Sequence, residues 1–200
     1  SLRFPREDAP GQSVQLRVSA LVSPRGWVDV NYEFTPDNAS GLMSEAGISF
    51  LLPAKLSEFR WLGDGPYTSC PGKAELAERG LHRVSSGDLY YPGNRANVDL
   101  AAVTDMAGNG IGVLCDRGNI ACKETPDGIL FTHNARIAGL GSKKTRTMYP
   151  IEPGKTGTLH GSFRVVPLRH DAWPMVFREV LGQPRPPAST NTPAFRFSYD

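Results

Sequence analysis

The sequence predicts an all-β fold, an antiparallel β-sandwich, on three observations. Apolar and polar residues alternate with a period of two in several segments, as they do in strands with one buried face. Turn signals recur every ~8–12 residues, the spacing of a sandwich or barrel. Strand and helix patterns do not alternate, which disfavours a parallel α/β sheet. The 200 residues include 21 glycines and 17 prolines without a collagen-like period, a composition that suits many turns and short strands. With 40% hydrophobic and 21% charged residues, the chain has the composition of a globular protein and the length for one domain with a real core.

In order, residues 1–12 read as an irregular lead-in with two prolines and mixed charges. Val14, Leu16, Val18 and Ala20 then alternate with polar residues. After the turn Ser23-Pro24-Arg25-Gly26, Val28, Val30, Tyr32 and Phe34 do the same, so the two form a hairpin. Ala46 to Pro53 and Leu56 to Leu62 supply two more strands. The second runs into Gly63-Asp64-Gly65-Pro66-Tyr67, whose glycines and proline read as a shaped turn rather than a strand. Lys73 to Arg79 has the propensity for a helical turn ended by Gly80 and is ambiguous. Tyr90 to Arg95 is a second aromatic, turn-rich segment. Val98–Val103 and Ile111–Cys115, joined by Asp105 to Gly110, form a second hairpin. Short β pieces follow at Ile120–Cys122 and Ile129–Thr132, and Leu159 to Val165 alternates as a final strand. The expected division is a sandwich over 1–168 and a tail over 169–200, with a short helix from Trp173 to Leu181 and a Pro-rich end.

Most motifs that carry chemistry fail on spacing. A net charge of +2 gives no footing for nucleic acid, and Lys143-Lys144-Thr145-Arg146 reads as a solvated loop. No run nears the ~18 apolar residues of a membrane span. Ser1 to Pro5 shows no signal-peptide core, and a periplasmic or secreted location is set ahead of a cytoplasmic one. Gly154-Lys155-Thr156 lacks the phosphate-loop glycine five places earlier, where Tyr149 stands. Cys70, Cys115 and Cys122 lack metal-ligand spacing and read as three thiols, with one disulfide plus a thiol as the alternative. No metal or cofactor is expected. Asn38-Ala39-Ser40 fits a glycosylation acceptor.

The remaining chemistry is that of sugar contact. Trp61 reads as core, whereas Tyr67, Tyr90 and Tyr91 sit where rings can stack on a sugar, with Asp64, Asn94 and Arg95 as polar contacts. Glycoside hydrolysis needs two carboxyl groups ~5–10 Å apart. Asp64, Glu75, Glu78 and Asp88 lie in this region, but nothing in their spacing pairs two of them across a cleft. No catalytic residue is assigned.

Trp61-Leu62-Gly63-Asp64-Gly65-Pro66 resembles the W-x-G-x-G-P motif in the C-terminal β domain of glycoside hydrolase family 2 β-galactosidases. Pro71 matches a later proline of the motif. Leu89 to Arg95 resembles the family's Y-x-x-P-x-x-x-G-x-R segment, and Asp105 to Gly112 its following hairpin. Glu45 to Pro53 resembles an upstream strand, and Ala138-Gly139-Leu140-Gly141 the M-G-x-G-G-D segment. The resemblance covers about residues 13–166. It implies a galactose-mutarotase-like supersandwich, whole or reduced, in which the tryptophan loop lies near the mouth of a catalytic barrel. The catalytic glutamates of the family belong to that barrel, which this chain does not contain. Two departures weigh against galactose specificity. Thr68, Cys70, Gly72 and Lys73 replace the acidic run E-N/S-Y-P-D-R, and Ser142 to Arg146 lacks the tryptophan that shapes the sugar site in many members.

The expectation is therefore a non-catalytic sandwich domain of a glycoside hydrolase, with carbohydrate and a catalytic barrel as partners and neither nucleic acid nor membrane. A stand-alone carbohydrate-binding module is the alternative. A mutarotase-like enzyme comes third, and would need a His and a carboxylate converging in one cleft, for instance His133 with Glu124 or Asp127.

Overall fold

The computed structural model describes residues 2–5, 13–37, 41–70, 75, 77–85, 93–138, 149–151, 155–170, 176 and 178. The protein is an antiparallel all-β sandwich. Its strands are β1 (Leu2–Pro5), β2 (Ser13–Val22), β3 (Val28–Asp37), β4 (Gly41–Met43), β5 (Glu45–Leu52) and β6 (Glu58–Gly65). They continue with β7 (Glu78–Ser85), β8 (Arg95–Thr104), β9 (Gly110–Thr125), β10 (Gly128–Ile137), β11 (Tyr149–Ile151) and β12 (Leu159–Leu168).

The expected hairpins form. β2 and β3 pair from Ser13↔Asp37 to Val22↔Val28 around a turn in which Gly26 takes φ +76° and Ser23 accepts its amide. β8 and β9 meet around Asp105, whose carboxylate accepts from the Ala107 and Asn109 amides.

The long strand β9 organises the sandwich. Its first part, Gly110–Leu114, lies between β12 and β8, while Asn119–Thr125 pairs with β10, which in turn pairs with β5. The sheet forks here, in step with register shifts in β8 and positive φ at Asn97 and Arg117. One arm is β12-β3-β2-β1 and the other β10-β5, with β8-β6-β7 common to both. The arms close on each other. Phe50 of β5 stacks with Phe163 of β12 at 6.1 Å, and Tyr32 of β3 hydrogen-bonds His133 of β10. The core between them holds Tyr32, Phe59, Trp61, Val98, Val103, Val113, Ile120, Ile129, Phe131 and Phe163. At ~25 cal/mol per Å² of apolar surface, these aromatic and branched side chains supply much of the drive to fold.

β8 is buried on both faces. Val98, Ala101 and Val103 face the main core, while Leu100 and Ala102 join Val166, Leu168 and Val176 in a second cluster behind it. Val176 and Arg178 have helical backbone. The remainder of the Trp173–Leu181 helix and the Pro-rich end lie outside the described residues.

Several local expectations are corrected. Leu2–Pro5 is a strand on β2 and not an irregular lead-in. β6 runs on through Gly63, Asp64 and Gly65, so those residues are strand and not turn. The pieces at 120–122 and 129–132 belong to the long strands β9 and β10. Glu78–Ser85 is strand β7 on the edge of β6, so Glu78 and Arg79, the end of the ambiguous 73–79 segment, are strand.

Candidate functional site

The W-x-G-x-G segment is a packing device. On β6, alternate residues Phe59, Trp61, Gly63 and Gly65 share the core face. Trp61 is fully buried, stacks on Phe59 at 4.9 Å, and donates its indole N–H to the Asp64 carbonyl at 2.9 Å. That bond lays the ring along its own strand. A Cβ at Gly65 would come within 2.8 Å of Trp61 Cζ2 and 2.6 Å of His82 Cδ2. One at Gly63 would come within 2.8 Å of the Val98 backbone, on neighbouring β8. The two glycines are thus the room that the indole and the β8 bulge occupy. Pro66 follows through a cis peptide bond.

Beyond Pro66 the loop is clasped to the start of β8. The Ser69 amide donates to the Asn94 carbonyl at 2.9 Å, Asn94 Nδ2 donates to the Ser69 carbonyl at 2.9 Å, and the Ala96 amide donates to Ser69 Oγ at 2.7 Å. Thr68 presses on Gly93, where a Cβ would overlap its hydroxyl.

The sequence-named residues fall in different settings. Asp64 is half-buried on β6 and accepts from Asn97 Nδ2 at 2.7 Å. Tyr67 is exposed at 63%. Asn94 is buried; its Nδ2 also reaches Asn119 Oδ1 at 3.2 Å, while its Oδ1 meets no donor. Arg95 is buried at 8% exposure with its guanidinium 5.0 Å above the Trp61 ring, and its Nη1 donates to the Gly93 carbonyl at 2.8 Å. Desolvation pulls the Arg95 pKa down, opposed by nearby Cys122. Tyr90, Tyr91 and Asp88 lie outside the described residues, as do Asn38 and the basic run 143–146. Asp64, Tyr67, Asn94 and Arg95 therefore belong to one corner, built where β6, the 66–70 loop and β8 meet.

The pair named as an instance for a mutarotase-like enzyme, His133 with Glu124 or Asp127, does not form. His133 is buried between the arms, and Tyr32 Oη donates to its carbonyl and lies 2.8 Å from its Nδ1. Burial lowers the His133 pKa to about 4 and raises that of Tyr32, so both are neutral near pH 7. Glu124 and Asp127 are exposed at the tip of the β9–β10 hairpin. Ile129, opposite Glu124, is four residues from His133 along β10, about 13 Å at ~3.3 Å per residue.

The three cysteines are free thiols. Burial raises Cys122 to about 12 and pushes Cys115 up as well, which leaves both protonated and unreactive. Among the described residues no group of three His, Cys, Asp or Glu side chains could hold a metal ion, and no helix is long and apolar enough to cross a membrane.

A concave feature that sequence reasoning did not single out is a cleft of about 410 Å³ at the other end of the arms. It is lined by Val14, Phe34, Pro36, Met43, Ala46 and Leu159, with Glu45 at its side. Its walls come from five strands, β2, β3, β4, β5 and the distant β12, so only the folded register assembles it. No protein-family model matches the chain, and no curated protein matches it.

Proposed function

We propose that this chain is a non-catalytic β-sandwich domain of a glycoside hydrolase, of the kind that resembles the C-terminal domain of family 2 β-galactosidases. In this reading it holds the loops around residues 66–70 and 93–95 beside the active site of a catalytic barrel. The observation that carries it is the way the W-x-G-x-G-P residues interlock. Trp61 needs Gly65, β8 needs Gly63, and the loop after Pro66 is clasped to Asn94, in the second segment that resembles the family. Two stretches that resemble the family separately in sequence are one physical unit, which supports a shared origin of the pattern. Rigid strands holding a shaped loop at a neighbour's active site is positional work, and it needs no nucleophile in this chain. The supersandwich assignment belongs to the same proposal.

Purified chain incubated with aryl β-galactosides is expected to release no aglycone, and the native protein to carry this sequence on a polypeptide or complex well above 21.7 kDa. Turnover that co-purifies with the isolated chain overturns the reading. The second reading, a stand-alone carbohydrate-binding module, is favoured by exposed Tyr67 beside a rigid clasp. Calorimetric titration with galactosides and plant-wall oligosaccharides distinguishes it: heat of binding to a monomer of this mass supports the module.

A further inference from the structure

The two arms that leave β9 are unequal: one is β12-β3-β2-β1, four strands wide, and the other is only β10-β5. Leu16, Val18, Ala20 and Val22 of β2 lie opposite Phe34, Tyr32, Val30 and Val28 of β3. They therefore share the face that Tyr32 turns to the core. Yet Val18 is 47% exposed and Val22 66% exposed, so the core face of the wider arm is left uncovered along β2. The narrower arm stops short of the same place. Among the described residues β5 pairs with β10 alone, so its other edge carries open backbone groups. Ile48 and Phe50, on the core face of that edge strand, are only half-buried.

The registers show what lies across from the open edge. Ala46 shares the cleft of about 410 Å³ with Val14, Phe34 and Leu159, and Phe34 is opposite both Leu16 and Leu159. Further along, Phe50 stacks on Phe163, which is opposite Val30, which is opposite Ala20. A strand beside β5 would thus run over β2 from Leu16 towards Val22. One stretch of the chain has the pattern for it. Ala194-Phe195-Arg196-Phe197-Ser198-Tyr199, outside the described residues, alternates three aromatic residues with two polar ones and contains no proline. Ala194 is sixteen residues beyond Arg178, a tether that spans up to about 53 Å, against a radius of gyration of ~16 Å for a domain of this length.

We infer that Ala194–Tyr199 is the third strand of the narrower arm, added to the free edge of β5 with Phe195, Phe197 and Tyr199 turned towards Leu16, Val18 and Val22. The rings cover the exposed valines and the half-buried Ile48 and Phe50, and one of them enters the cleft, which exceeds the ~150 Å³ that holds a benzene. Arg196 and Ser198 then fall on the outer face with Glu45 and Ser49. Glu45 bonds Asn134 Nδ2 at 3.4 Å and meets no cation among the described residues, so its charge complements Arg196. This inference is independent of the sugar-contact reading.

The test is amide hydrogen exchange of the full chain at micromolar concentration, read by NMR. In an antiparallel pair every second amide of β5 points away from β10, so those amides report directly on the edge. They are expected to exchange at least ~10-fold more slowly in the parent than in the double variant Phe195→Asp, Phe197→Asp, while the interior amides of β8 stay protected and show that the variant is folded. Val18→Ser should lower the melting temperature of the parent and leave that of the double variant unchanged, a coupling that an uncovered valine does not produce. Equal exchange of β5 in parent and double variant overturns the inference. Protection of β5 that is lost on dilution marks a strand donated by a second copy and overturns it as well, as does the same melting shift from Val18→Ser in both backgrounds.

Discussion

Two places in the molecule bury a titratable side chain against aromatic rings, and they treat its charge in opposite ways. At the seam between the arms, His133 lies against Tyr32 and Phe163 and is kept neutral by burial. At the corner, Arg95 lies over Trp61 and cannot give up its proton. The seam avoids the cost of a buried charge, whereas the corner carries it and offsets it in part. A neutral, hydrogen-bonded histidine between two sheets needs nothing further. A buried guanidinium keeps its charge, so the corner depends on the Trp61 ring and the loop carbonyls that meet it.

The largest effect expected from breaking this contrast is at Trp61. Trp61→Ala empties a fully buried site and strips Arg95 of its ring, and should cost about 3–5 kcal/mol in denaturant unfolding. A cost below ~1 kcal/mol would show that the corner is not part of the core. At the seam the handle is acid. The folded pKa of His133, about 4, is below the unfolded value of about 6.5. Above pH ~6.5 both states are neutral there and no stability is lost. As pH falls towards 4 the unfolded state takes up a proton that the folded state refuses, and stability declines by about 3 kcal/mol in all. Melting temperatures across that window check it, and the step should persist in the Trp61→Ala protein.

Next in size, Tyr32→Phe removes the hydroxyl that holds His133 and leaves a buried acceptor unmet, at about 1–2 kcal/mol. Smallest of all, Tyr67→Ala should leave stability within ~0.5 kcal/mol of the parent, because the ring is exposed. A large loss there would make Tyr67 a structural residue rather than a contact.

Much of the fold is legible in the sequence wherever one face of a strand meets the core. The β2–β3 alternation, the Asp105 turn and the apolar run of β8 all point to the elements they form. Legibility fails where burial is lopsided. β7 half-buries Gly80, His82, Val84 and Ser85 and leaves Glu78, Arg79, Leu81 and Arg83 exposed, so its two large apolar residues do not mark one face. β9 looks like two pieces because Asp116-Arg117-Gly118-Asn119 marks the fork, where an irregular backbone takes polar residues. At the corner, Asn94 and Arg95 read in sequence as polar residues of a turn-rich run, a setting that implies exposure. The structure buries both, since their side chains satisfy backbone carbonyls that a tight loop leaves over. Neither the burial of Arg95 over Trp61 nor the apolar cleft at Ala46 has a local signature, because each depends on neighbours more than 30 residues away.

The pairing of β3 with β12 also sets an order in time. Phe34 lies opposite Leu159, so the inner edge of the first hairpin is closed by a strand made more than a hundred residues later. At ~5–20 residues per second, synthesis leaves that edge open for on the order of ten seconds. During that interval Val28, Val30, Tyr32 and Phe34 have only β2 beside them. The nascent hairpin is therefore exposed to neighbouring chains, and the yield of folded protein depends on how quickly β12 arrives.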